Sequence, residues 1–353
     1  MNNLIKKYEL IITDNYELTY SFFEEEINKT KSVYIEIMLV CKYLCDEKID
    51  QAKNIFSKIK LQEVNSPMLK SLLKMSEGLI KSKEGEHNSG IELLKESIDI
   101  DTLSQNKWVR LKLYLELKEK TPYEAWGYIE DAIKIDPNFY AALVEKSFGL
   151  DPSINHTEII DLLNKIPSTY KDADCFNLLG VAYLNSESYE KAKLNIEQSI
   201  NIKKTSDNLF SYANFYHQYE HNLNKAEKLY LESLSLDNSN QDARNSYGWL
   251  LFDLNRIEEA EKIFISMLDF SKDQEIFSQI IFFFLMSKNL EKAKLYVNIS
   301  SKKNDSNYMN DGYFIMIKIL EKKEYKKDYT SFKKEYEDYE DKWFREQLTY
   351  LLE

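Results

Sequence analysis

The chain has 353 residues, 47 Lys and Arg against 59 Asp and Glu, and a formal charge of −12. It holds only 8 Gly and 5 Pro, where average usage gives about 25 and about 18, so the turn residues that sandwiches and barrels need are missing. The acidic balance excludes sequence-independent binding to nucleic acid or to an anionic membrane, since both need clustered Lys and Arg. With 43% apolar residues, 25 Tyr and 18 Phe, a sizeable core is available and disorder is excluded.

The first residues, Met1 to Glu9, contain no apolar stretch of signal-peptide length. The longest apolar run, Ile280 to Met286, is far short of the roughly 18 residues that span a bilayer. A cytoplasmic, soluble protein is expected. Cys41, Cys45 and Cys175 have no C-x-x-C spacing and are expected as buried free thiols.

Residues 1–32 are expected to form an N-terminal helical cap. From there a repeating set of four small or apolar residues runs along the chain, with internal spacings of 12, 4 and 3. It begins as Val40, Ala52, Phe56, Ile59 and continues as Gly78, Gly90, Leu94, Ser97 and then Leu113, Ala125, Ile129, Ala132. The fourth set is Ser147, Ile159, Leu163, Ile166, and the fifth is Gly180, Ala192, Ile196, Ser199. Asn214, Ala226, Tyr230, Ser233 follow, then Gly248, Ala260, Phe264, Met267, and last Ile281, Ala293, Val297, Ser300. The second members advance by 38, 35, 34, 33, 34, 34 and 33 residues. A unit of this length with offsets of 3 and 4 in each half is a pair of antiparallel helices joined by a tight turn. Where two helices cross at about 8–10 Å, small side chains are required, which predicts Gly180 and Gly248 against Ala192 and Ala260. A single hairpin cannot bury both faces, so neighbours must stack.

Beyond the array, residues 308–353 are expected to be a C-terminal helical cap. Tyr325, Tyr329, Phe332, Tyr336, Tyr339 and Trp343 recur at 4-3-4-3-4 spacing and form an aromatic seam. It packs on the last repeat of a monomer; a coiled-coil dimer is the alternative.

Leu179-Gly180-x2-Tyr183 with Ala192-x3-Ile196, and Tyr247-Gly248-x2-Leu251 with Ala260-x3-Phe264, resemble the tetratricopeptide repeat (TPR) family. Asp136-Pro137-Asn138 matches its inter-repeat turn. The resemblance covers residues 33–307 and is strongest over 173–300. It implies an all-α, right-handed superhelical solenoid of about eight stacked helix hairpins plus terminal helices. It also implies a scaffold without catalysis or cofactor that holds a protein or peptide along the first helices of the hairpins.

On those first helices the candidate groove residues are Asn177, Ser211, Phe215, Asn245, Trp249, Phe252, Ser278 and Phe282. Aromatics accept apolar anchors, and small amides and hydroxyls bond a partner's backbone; inter-helix packing is the competing role for the aromatics. Asp174, Asp242 and Glu275 form an acidic rim, which suits a neutral or basic partner. The clamp that some TPR proteins use for a C-terminal carboxylate needs cations on successive first helices. Here Lys107 and Arg110 supply them in one repeat only. A regulator whose superhelix changes pitch on peptide binding is the second reading.

Catalytic patterns are sparse. His217-Gln218-Tyr219-Glu220-His221 matches the H-x-x-E-H of inverted zinc peptidases, and a zinc hydrolase at His217 and His221 is the third reading. The repeat frame places His217 where Tyr183 packs and His221 near a turn, so no metal is expected. Gly85-x4-Gly90 has Ile91 where a phosphate loop needs Lys. Gly85 is expected to end a helix and Gly90 to make a close crossing.

Overall fold

A computed structural model describes residues 19–60, 64–100, 107–302, 308–336 and 338–352. Among them there is no β-strand, and the chain divides into two compact units, 1–192 and 193–353.

The first unit opens with α1 (Tyr20–Thr30). Hairpins follow from α2 (Val33–Cys45) and α3 (Ile49–Lys60), then α4 (Pro67–Lys83) and α5 (His87–Ile100). The next are α6 (Lys107–Leu117) with α7 (Pro122–Ile135), and the short α8 (Tyr140–Phe148) with α9 (His156–Asn164). Helices α10 (Ala173–Asn185) and α11 (Tyr189–Ile202) follow. The second unit continues with α12 (Ser206–Asn214) and α13 (Leu223–Leu236), α14 (Gln241–Asp253) and α15 (Ile257–Ser266), and α16 (Gln274–Met286) and α17 (Leu290–Ser301). It closes with α18 (Tyr308–Leu320), α19 (Lys326–Glu335) and α20 (Asp338–Leu352). The eight sets of the 12-4-3 register fall on the eight hairpins from α2/α3 to α16/α17.

Local chemistry sets the ends of these helices. Asn222, Asn240, Asp273 and Asn289 each accept a hydrogen bond from the backbone N–H three residues on, capping α13, α14, α16 and α17. Thr205 and Asn208 cap α12 reciprocally. The turns inside the hairpins recur as well. Glu187, His221, Asn255, Lys288 and Lys322, spaced by 33 or 34 residues, all have φ between 51° and 58°. Gly85 takes the corresponding place after α4 with φ 86°, as a helix-ending glycine should.

The small residues of the register do two different things. Gly78 and Gly90 bring two backbones together: a Cβ on either would stand 2.8 Å from the carbonyl oxygen of the other. At Gly248 the neighbour differs from the expected Ala260. A Cβ there would meet the Phe264 ring at 2.8 Å, so Gly248 makes room for an aromatic rather than for a helix backbone. Gly90→Ala is expected to cost about 1–3 kcal/mol or more by overpacking. Gly127→Ala, in mid-helix with nothing within 4 Å of the added Cβ, should instead stabilise by up to about 1 kcal/mol. Urea midpoints of the two variants, moving in opposite directions, check this.

The aromatic seam of residues 325–343 is not one continuous helix. Tyr336 is extended (φ −113°, ψ 154°) and separates α19 from α20. The apparent heptad therefore comes from two helices folding over α18, a geometry that a continuous coiled-coil strand does not have. Trp343 meets Tyr308 and Tyr313 edge-on at 5.3 and 5.4 Å and lies over Gly312. Phe344, outside the predicted seam, is buried between Tyr329 and Phe332. Tyr336 donates to Asp311 Oδ2 at 2.6 Å. The Tyr339 side chain lies outside the described residues.

Candidate functional site

The first helices of the second unit supply the aromatic candidates, and the structure separates them. Phe215 is 2% exposed. It packs against Tyr212, Tyr216 and Tyr219 and is a core side chain, not part of an open floor. Residues 215–219 form a π-helical turn that ends the first helix of this hairpin. A widened turn rotates the side chains that follow it relative to the regular register.

Trp249, Phe252 and Phe282 remain half-buried, and Trp249 meets both of the others. The Trp249 ring lies 5.6 Å from Phe252 and 5.9 Å from Phe282. Beneath them, fully buried Phe264 and Phe283 stack at 4.5 Å. Trp249 stands edge-on to both, at 5.2 and 6.4 Å. The arrangement is two layers, with a dry lower pair supporting a half-exposed upper trio. Asp242, Asp253 and Glu275 are exposed on the same first helices.

The polar candidates behave differently from open hydrogen-bonding groups. Ser211 is buried and donates to Asp207 O at 3.0 Å. Ser278 donates to Met309 Sδ at 3.2 Å. The Oδ1 atoms of Asn245 and, in the first unit, Asn177 are buried without a hydrogen-bond partner. A buried oxygen left unpaired costs about 1–3 kcal/mol. Asn245→Leu is accordingly expected to leave the thermal midpoint unchanged or to raise it. A lowered midpoint would show that the amide has a bond this geometry lacks.

His217 sits inside the second unit, as the packing register requires. Its Nδ1 is 3.3 Å from the Tyr230 hydroxyl and its Nε2 is 2.8 Å from Asp253 Oδ2. Tyr230 donates onward to Asn214 Oδ1 at 2.5 Å, and burial pushes its phenol pKa up. The histidine thus ties α13 to the end of α14. His221 lies past the π-helical turn with φ 51°, outside any helix shared with His217. Both nitrogens of His217 are engaged by protein groups, so the pair does not present two imidazoles on one helical face. Among the described residues no group of three or more His, Cys, Asp or Glu side chains is placed to hold a metal ion, and no helix is long and apolar enough to cross a membrane.

A network beside Phe215 was not legible in the sequence. Lys225 Nζ donates to Tyr216 Oη at 2.7 Å, the Tyr216 and Tyr212 hydroxyls are 3.0 Å apart, and Tyr212 donates to Glu197. The relay joins an ammonium to a carboxylate through two buried phenols on three helices. In the first unit Lys107 pairs with Asp136 at 2.5 Å, which commits one of the two cations of the clamp pattern to an internal partner.

No family model and no curated protein sequence matches this chain. Its fold is nevertheless found among solved structures. The crystal structure of a tetratricopeptide repeat protein from Parabacteroides merdae ATCC 43184 superposes with a TM-score of 0.58 at 12% identity, covering 71% of this chain and 98% of that one. Yeast Tom70 superposes with a TM-score of 0.52 at 11% identity, over 99% of this chain and 85% of its own. This chain has the tetratricopeptide-repeat fold. In TPR terms, Trp249, Phe252 and Phe282 stand on the first helices of two consecutive repeats, and the π-helical turn and His217 belong to the repeat before them.

Proposed function

We propose that this TPR protein is a non-catalytic scaffold that holds a protein or peptide segment on the first-helix face of its second unit. The observation that carries the reading is the upper aromatic trio of Trp249, Phe252 and Phe282. The Trp249 ring contacts both of the others, and all three are half-buried, yet supported from below by Phe264 and Phe283. Apolar surface held rigid and partly open is what an interface anchor requires, because little conformational entropy remains to be lost on binding. The exposed carboxylates of Asp242 and Glu275 favour a partner that is neutral or basic beside its apolar anchor. Lys107 and Arg110 occur on one first helix only, which speaks against a C-terminal carboxylate as the recognised group.

Photo-crosslinking in the host cell tests this reading. A benzophenone side chain placed at Phe282 or Phe252 should yield a discrete adduct. The same group at Tyr123, which is 97% exposed on the first unit, should not. Equal labelling at Tyr123, or no adduct at either groove position, removes the proposed surface.

A further inference from the structure

A cavity of about 290 Å³ opens in the first unit, where α2, α4 and α6 approach their C-terminal ends. Leu44, Leu79 and Leu115 give it an apolar lining. Cys41 belongs to the same wall, and burial pushes its thiol up to about 12, so it adds a neutral surface. The remaining lining is charged and of both signs: Lys83 and Lys112, with Glu116 and Glu145.

Three of these charged groups have only long ion pairs. Glu116 is 3.6 Å from His87, Glu145 is 3.4 Å from Lys118, and Lys83 is 3.9 Å from Glu47. Charge-assisted hydrogen bonds of full strength lie at about 2.7–2.9 Å. The rim therefore keeps capacity for a better-placed partner of each sign. An apolar ligand would desolvate Lys83, Glu116 and Glu145 with nothing in return. A purely anionic ligand would meet Glu116 and Glu145, and a purely cationic one Lys83 and Lys112. The volume is at the lower end of the roughly 300–1,000 Å³ typical of ligand pockets, too small for a nucleotide cofactor.

We propose that this cavity binds a small zwitterion with an apolar side chain, an aliphatic or aromatic amino acid or a dipeptide. The carboxylate would lie toward Lys83 and Lys112, the ammonium toward Glu116 and Glu145, and the side chain on the leucine lining. The site belongs to the first unit and does not depend on the aromatic trio of the second.

Calorimetric titration of the full chain with L-leucine, L-phenylalanine and L-leucyl-L-phenylalanine tests the proposal. N-acetyl-L-leucinamide and N-acetyl-L-phenylalaninamide, which keep the side chain but lose both charges, serve as controls. At least one zwitterion should bind, and its capped counterpart should bind about tenfold or more weakly. Whether the amino acid or the dipeptide binds more tightly identifies the source. Lys83→Met and Glu116→Gln should each weaken binding about tenfold, with unchanged circular dichroism showing that the fold persists. The capped ligands need no variant, so a variant that fails to fold leaves the test intact. No binding by any zwitterion up to about 10 mM, or equal binding by the capped forms, overturns the proposal.

Discussion

Phe264→Ala is expected to lower the stability of the second unit by about 3–5 kcal/mol, the usual cost of emptying a buried aromatic site. Phe264 is fully buried, stacks on Phe283 at 4.5 Å with an interplanar angle of 22°, and meets Trp249 at 5.2 Å. Its ring also fills the space that Gly248 leaves by lacking a side chain. Removing the ring thus opens a void bounded by a helix backbone on one side and by aromatic planes on the other. Neither collapses readily into it. The same geometry predicts a coupling. Gly248→Ala alone should overpack by about 1–3 kcal/mol, whereas in a Phe264→Leu background much of that cost should vanish because the opposing ring is gone. A double-mutant cycle in urea reads the coupling directly. Additive effects, or a Phe264→Ala midpoint within error of wild type, would contradict this packing.

The second large effect is on binding. Trp249→Ala should weaken capture of the crosslinked partner by about 30- to 1,000-fold, the range for an anchor at the centre of an interface, or about 2–4 kcal/mol. Trp249 is half-buried over Phe264 and Phe283, so the substitution also loses some packing. That loss should be smaller than the one at Phe264, because part of the indole already faces solvent. Affinity and melting midpoint measured on one preparation separate the roles. A stability loss equal to that of Phe264→Ala, with unchanged affinity, would make Trp249 a core residue and leave the scaffold reading without its anchor.

The aromatic column shows where sequence reasoning reaches its limit. Phe215, Trp249 and Phe282 stand at equivalent register positions, and from spacing alone they are interchangeable. The structure makes Phe215 core, packed among Tyr212, Tyr216 and Tyr219, and leaves the other two half-buried; the hairpin of Phe215 is also the one that carries a π-helical turn, at 215–219. A π turn leaves no periodic mark in a single sequence: it changes which carbonyl each N–H finds, not which residue types appear. The polar candidates failed for a related reason. Asn245 and Ser211 have the right chemistry, but whether a side-chain oxygen faces solvent, a neighbouring carbonyl or nothing depends on how closely adjacent helices pack.

The sequence by itself determined the all-α class, the 34-residue period, the hairpin unit, the close crossing at Gly90, and the packing place of His217. These follow from local spacing and side-chain volume, which are properties of residues a few positions apart. The tertiary structure alone decided that Gly248 faces Phe264, that the aromatic seam near the C-terminus folds as two helices over α18, and that Lys83, Lys112, Glu116 and Glu145 border one cavity. Each of those brings together residues of different helices, 16 positions apart for Gly248 and Phe264, 35 for Tyr308 and Trp343, and 62 for Lys83 and Glu145. Such pairs are fixed by the angle and distance at which helices meet, and periodicity along one helix carries no information about either.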